Sequence, residues 1–213
     1  MSKFDAIYDD YMKRRKAVLA MGGEKALAKR REKGQTHARE RIDMLLDPGT
    51  FVEVGTYMRH RQYEFGMADK LIPAEGVVAG HGTVEGRNCM VVSEDFTAMA
   101  GTFGEYHGKK FVWALDFAKE KGWPFVGIND SGGARLQEGM DTLESYGWTF
   151  RAQILASGIV PQIGLLLGPC LGGQAYHPIM QDFIIQCKET GFMGIAGPAF
   201  VKTQLGEEIS LQE

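Results

Sequence analysis

The chain has 213 residues, 44% apolar and 24% charged, with a net charge of −3. This length and balance fit one sizeable globular domain and exclude any general pull towards nucleic acid or an anionic membrane. No apolar run reaches the roughly 18–20 residues of a membrane span, and the opening Met1-Ser2-Lys3-Phe4-Asp5 has no apolar signal region, which reads as a cytoplasmic protein.

In chain order, Phe4, Ile7, Tyr8 and Tyr11 share one stripe of a helix. Gly22-Gly23 breaks it, and Gly34 ends the next helical piece. Ala38, Ile42, Leu45 and Leu46 form a further short helix, stopped by Pro48-Gly49. Residues 1–50 therefore read as a helical arm, and residues 51–213 as the domain proper. The basic run from Lys13 to Arg41 reads as a solvated helix face; the sharper alternative is that some of these charges meet ligand phosphates or another subunit.

Residues 51–54 and 76–80 read as strands, with 57–71 as a loop between them. Residues 83–92 read as a hairpin turning at Gly86-Arg87 in a type II′ turn. From Met90 onward a strand, a glycine-bearing loop and a helix recur about every 35–40 residues. The strands start near Met90, Phe125 and Gln162. Two more strands, 183–186 and 192–195, precede Gly197-Pro198 and a last helix. This alternation predicts an α/β fold with mainly parallel strands.

Glycine is the compositional outlier, with 28 residues grouped after apolar runs. In such units the loop after a strand lies at the carboxyl edge of the sheet, where ligands bind. The following helix offers unpaired N–H groups and a dipole that favours negative charge. Two such loops face to face make an oxyanion hole. Side chains suited to acid–base work are few. Asp130 and Arg135 are expected to pair, and Glu138 to cap its loop. Cys170 reads as a small buried residue rather than a nucleophile, and His177 as a packing or capping residue. The three cysteines show no metal-type spacing, so neither a disulfide framework nor a zinc site is expected. Gly-x-Ser-x-Gly, the P-loop and the dinucleotide fingerprint are absent. Backbone donors with few acids or bases suit an enolate whose base comes from elsewhere, such as a cofactor.

Several segments carry a resemblance. They are Thr36-His37-Ala38-Arg39-Glu40-Arg41-Ile42-Asp43, Leu45-Leu46-Asp47-Pro48-Gly49-Thr50-Phe51-Val52-Glu53, Asn129-Asp130-Ser131-Gly132-Gly133-Ala134-Arg135-Leu136-Gln137-Glu138-Gly139, Gly168-Pro169-Cys170-Leu171-Gly172-Gly173, and Gly197-Pro198 through Val201-Lys202. In order and spacing they resemble the beta-type carboxyltransferase subunits of biotin-dependent acyl-CoA carboxylases, together with related transcarboxylase and decarboxylase subunits. The resemblance runs from about residue 20 to the end of the sequence. It implies a crotonase-like spiral of ββα units that binds a CoA thioester. It implies an oxyanion hole from the N–H of Gly133 and that of Gly172 or Gly173. It also implies a CoA pocket involving Phe96, Thr97, Ala100, Gly101, Gly132, Ala134 and Arg135, and no metal.

The implied chemistry uses carboxybiotin on a partner protein. CO2 is released in the closed site, the ureido nitrogen takes the α-proton, and the enolate attacks the CO2. Three departures stand out. Ala100-Gly101-Thr102 replaces the family's usual Gly-Gly-Ser, His177 replaces a small polar residue, and the sequence stops at Glu213, short of the family's second, biotin-binding half. The expectation is that the sequence is a fragment or that a separate partner chain supplies that half; the expected partners are acyl-CoA, a biotin carboxyl carrier, a complementary carboxyltransferase half and further copies in an oligomer, and alone the chain is expected to be inactive or nearly so. The rival readings are a biotin-independent crotonase relative using Glu138 or His177, and a non-catalytic acyl-CoA-binding subunit.

Overall fold

Three helices open the chain: α1 (Lys3–Leu19), α2 (Glu24–Arg31) and α3 (Ala38–Leu45). The structure, a computed structural model, describes residues 3–210. Helix α1 buries only Val18. Helix α3 is fixed at its start by a capping box. The His37 ring accepts from the Arg39 N–H at 3.3 Å, and the Glu40 carboxylate accepts from the His37 N–H at 3.0 Å.

The sheet follows the order β1 (Val52–Val54), β2 (Val77–Val84), β3 (Arg87–Glu94), β4 (Phe125–Ser131), β5 (Gln162–Leu171) and β6 (Phe183–Gln186), with β7 (Phe192–Gly194) also on β5. The first three strands are antiparallel; the pairs from β3 onward are parallel, so the sheet is mixed. The β2–β3 turn is Glu85-Gly86, one residue earlier than expected. Val84 faces Arg87, and both turn residues have positive φ, 50° and 74°, as a type I′ turn requires.

Alternation assigns the two faces. Val77, Ala79, Met90, Val92 and Phe125 pack against α4 (Glu105–Lys121) and α5 (Met140–Ala156). Val78, Val91, Val126 and Ile128 pack against Ala38 and Ile42 of α3 and Val18 and Met21 of the arm. Cover on both faces is why residues 77–79, 90–92 and 125–128 are apolar on both sides. Strand β6 has no such cover: Phe183, Ile184 and Ile185 are exposed.

Asp130 shares its parity with Val126 and Ile128, so its carboxylate points to the arm's face. There it meets the guanidinium groups of Arg30 and, at 2.8 Å, Arg41. The expected pairing of Asp130 with Arg135 is therefore corrected: Asp130 is taken by Arg30 and Arg41 on the arm's face, while Arg135, beyond the end of the strand, is taken by Glu75 and Glu138. The carboxylate also occupies a break in register. Asn129 faces Leu166 but Ser131 faces Cys170, so β5 has two extra residues there. A Cβ at Gly168 would lie 2.0 Å from Asp130 Oδ1, so only glycine lets the strand pass.

On the opposite face His177 sits among aromatic rings: Phe111 at 5.0 Å, Phe150 at 5.3 Å, Phe103 at 5.5 Å and Tyr146 at 5.9 Å between centroids. Its Nδ1–H donates to Gln153 Oε1 at 2.7 Å. Burial pushes its pKa down to about 3.

Two expectations follow. Asp130→Asn leaves two buried arginines without a counter-charge and should cost about 3–5 kcal/mol in urea unfolding; a loss below about 1 kcal/mol contradicts the pairing. The second concerns pH. His177 and His107 are both held neutral by burial, with folded pKa values below the ordinary imidazole value. The unfolded chain then binds more protons, so stability falls as pH drops below about 6.5. His177→Gln should make that fall shallower by up to about 1.4 kcal/mol per pH unit; an unchanged slope in pH-resolved unfolding contradicts it.

Candidate active site

The loops after β3, β4 and β5 meet at one edge of the sheet. In the first, residues 95–102, the Asp95 carboxylate accepts the N–H groups of Thr97 at 2.7 Å and Ala38 at 3.3 Å. The α1–α2 junction rests on this loop, with the Gly22 N–H donating to Thr97 Oγ1 at 3.0 Å. The Arg30 guanidinium lies 5.7 Å over the Phe96 ring. Phe96 and Thr97 are thus partly covered by the arm, and Thr97 opens onto a cavity of about 390 Å³ that Met21, Gly23, Ile72 and Met99 also line. Ala100 adopts φ 54°, a left-handed conformation that glycine takes without strain.

The second loop is tied to the first. The Gly132 N–H donates to Ala100 O at 2.8 Å, and the Ser131 hydroxyl donates to Gly101 O at 2.6 Å. The Gly133 N–H is already engaged, donating to Ser131 Oγ at 3.2 Å. A parallel bridge pairs Phe103 with Ala134. The Phe103 N–H donates to Gly133 O at 2.8 Å, and the Arg135 N–H donates to Phe103 O at 2.8 Å. In such a bridge the facing residue turns its own N–H away from the partner strand. The Ala134 N–H therefore points to the side opposite Phe103.

Arg135, expected beside the ligand, is fully enclosed. Its guanidinium meets Glu75 at 2.5 Å and Glu138 at 2.7 Å, and donates to Thr102 O at 2.9 Å. It holds the loop from inside. Glu138, expected to cap its own loop, instead accepts the N–H of Glu105 at the start of α4 at 2.7 Å. Glu75 went unnoticed in the sequence. Its φ is 60°, and its only signal is the punctuation Pro73-Ala74-Glu75-Gly76 ahead of a strand.

The third loop leaves β5 at Leu171 as a 3-10 turn, Gly172–Ala175, with Gly172 at φ 62°. The first N–H groups of such a turn have no acceptor inside it. This loop touches the second one. A Cβ at Gly133 would lie 2.8 Å from Leu171 O and 4.0 Å from Gly172 N. The structure thus gathers Gly132, Gly133, Ala134, Gly172 and Gly173 at one place, with Ala100 and Gly101 behind them.

Among the described residues, side-chain chemistry is nearly absent there. The Cys170 thiol is buried, and burial pushes its pKa well up, away from a thiolate. His177 is enclosed and neutral, and Glu138 is committed to Arg135. His107 and Glu94, deeper in, lie 3.2 Å apart; burial holds the carboxyl well above its usual range and the imidazole well below, leaving a neutral pair. The arrangement offers N–H donors to an oxygen that gains negative charge.

Known proteins bear on this geometry. The family model for the carboxyl transferase domain matches residues 29–213. The propionyl-CoA carboxylase beta chain of Roseobacter denitrificans is 46% identical over 200 residues, 94% of this chain and 39% of that protein. The methylmalonyl-CoA decarboxylase alpha subunit of Propionigenium modestum is 44% identical over 204 residues, 96% of this chain and 40% of that protein. The solved structure of transcarboxylase 12S, a hexamer with methylmalonyl-coenzyme A and methylmalonic acid bound, superposes with a TM-score of 0.93 at 42% identity, covering 99% of this chain and 41% of that one. The chain thus spans about two fifths of the length of these proteins, shares the mixed α/β sheet of the 12S structure, and belongs to the carboxyl transferase domain family.

Proposed function

We propose that this chain is the acyl-CoA half of a biotin-dependent carboxyltransferase site, on a crotonase-like spiral of ββα units. Residues 1–50 serve as an arm and residues 51–213 carry the site. The observation that carries the reading is the meeting of the loops after β4 and β5, where a Cβ at Gly133 would touch Leu171 O. A thioester carbonyl placed there receives N–H groups from both loops as it becomes an enolate oxygen. On the β4 side the donor is Ala134 rather than Gly133, because the Gly133 N–H already serves Ser131 Oγ. On the β5 side it is Gly172 or Gly173. Each donor contributes about 2.7–4 kcal/mol to the transition state. The pantetheine arm runs past Ala100, Gly101 and Gly132, with Phe96 and Thr97 at its outer end; Arg135 braces the floor.

Carboxybiotin, carried on a partner protein, supplies the carboxyl group and the proton acceptor. The chemistry of this half fits that division. Among the described residues at the loops, the side chains able to take a proton, Asp95, Glu138 and His177, are committed or enclosed. This also weighs against a biotin-independent crotonase relative. The exposed apolar strand β6 supports a partner surface for a complementary half or further copies. Carboxylase, decarboxylase and transcarboxylase share this half-site, since they differ in where the carboxyl group goes.

Calorimetric titration with propionyl-CoA, methylmalonyl-CoA and free CoA tests the reading. The thioesters should bind more tightly than free CoA. Gly172→Pro removes a donor and forces φ to about −65°; if circular dichroism shows it folded, it should lose that preference. No thioester binding at millimolar concentration, or a folded variant with the preference intact, contradicts the assignment.

A further inference from the structure

Gly173 needs a reason to be glycine that its backbone does not supply. Unlike Gly172, it is not among the positive-φ glycines. The reason is a ring. A Cβ at Gly173 would lie 2.9, 3.0 and 3.2 Å from Cζ, Cε2 and Cε1 of Tyr146. The Tyr146 ring, on α5, is buried at 5% exposure and stacks on Phe103 with centroids 4.2 Å apart and planes 12° apart. Phe103 in turn carries the two backbone hydrogen bonds, to Gly133 O and from the Arg135 N–H, that fix the β4 loop. One side chain therefore touches the β5 loop directly and the β4 loop through one neighbour. Its hydroxyl is buried and has no protein partner among the described residues, and burial raises its pKa, so it is a neutral phenol.

We propose that Tyr146 is a positioning residue that sets the spacing between the two donor loops. The proposal rests on the acyl-CoA site argued above. The ring acts as a spacer: its phenol end sits under Gly173, and its face lies on the residue that anchors Ala134. Remove the ring and the β5 loop can sink towards the core while the Phe103 bridge loses its backing. The two N–H groups then no longer converge on one oxygen. Donor geometry matters this much because a misplacement of about 1 Å can cost about 10²-fold in rate. The hydroxyl is not needed for this task, and a buried hydroxyl without a partner is a cost to stability.

Infrared spectroscopy of bound [1-13C]propionyl-CoA tests the idea, since the carbonyl stretch reports the donors directly. On the unaltered chain the stretch should move to lower frequency than in solution. Tyr146→Phe should keep that shift. Tyr146→Leu should lose most of it, with the thioester-over-CoA affinity ratio falling about tenfold and affinity for CoA alone unchanged. Gly173→Ala reaches the same contact from the loop side and should also lose most of the carbonyl shift, which covers a leucine variant that fails to fold. A full carbonyl shift in either folded variant, Tyr146→Leu or Gly173→Ala, overturns the Tyr146 proposal alone. A thioester that binds the unaltered chain with no carbonyl shift overturns the donor site and the spacer built on it together.

Discussion

The carboxylate of Asp130 is the constraint on which this structure turns. A charge on an interior strand must be paired, and its partners must come from outside the sheet. Arg30 and Arg41 supply the pairing, so α2 and α3 are drawn onto the sheet and the arm becomes part of the fold. Room for the carboxylate comes from Gly168 and from the two-residue register break in β5. That break carries β5 on to Leu171 and delivers Gly172 beside Gly133. Burial pushes the Asp130 pKa up while the two guanidiniums push it back down, a balance that makes the pair a device of placement more than of net stability.

A second buried charge repeats this logic one loop away. Arg135 is enclosed by Glu75 and Glu138, and the hydrogen bonds of all three tie together the start of β2, the first loop and the start of α4. Lys110, with its Nζ–H groups donating to Ala74 O at 2.7 Å and Val77 O at 2.9 Å, fixes the same corner; burial pushes its pKa down to about 8. These networks consume the side chains that might otherwise act as acids and bases. What faces the loops is mostly backbone, which suits a site that polarises a carbonyl.

Much of this was legible in the sequence, and the parts that were not share a cause. The three strand–loop–helix units were readable because each begins with an apolar stretch such as residues 125–128 and is followed by glycines such as Gly132-Gly133. Helix α5 stops at Ala156 as the periodicity indicates. The hairpin turn slipped by one residue because Glu85 accepts a positive φ that its type does not advertise. The charged partners were misread because pairing depends on which face a residue occupies. Asp130 and Arg135 are close in sequence but are taken by different partners, whereas Arg30 is one hundred residues from Asp130. Glu75 and Tyr146 were missed for a related reason: each acts across the fold, on residues that no local pattern links to it.

In the proposed site, two loops aim backbone N–H groups at a single acyl oxygen. The most direct test of this is a crystal structure of the chain with propionyl-CoA bound. The thioester oxygen should lie about 2.7–3.1 Å from the Ala134 N and from the Gly172 or Gly173 N at once. A thioester carbonyl that meets only one loop, or an acyl group that lies outside the junction of Gly133 and Leu171, contradicts it.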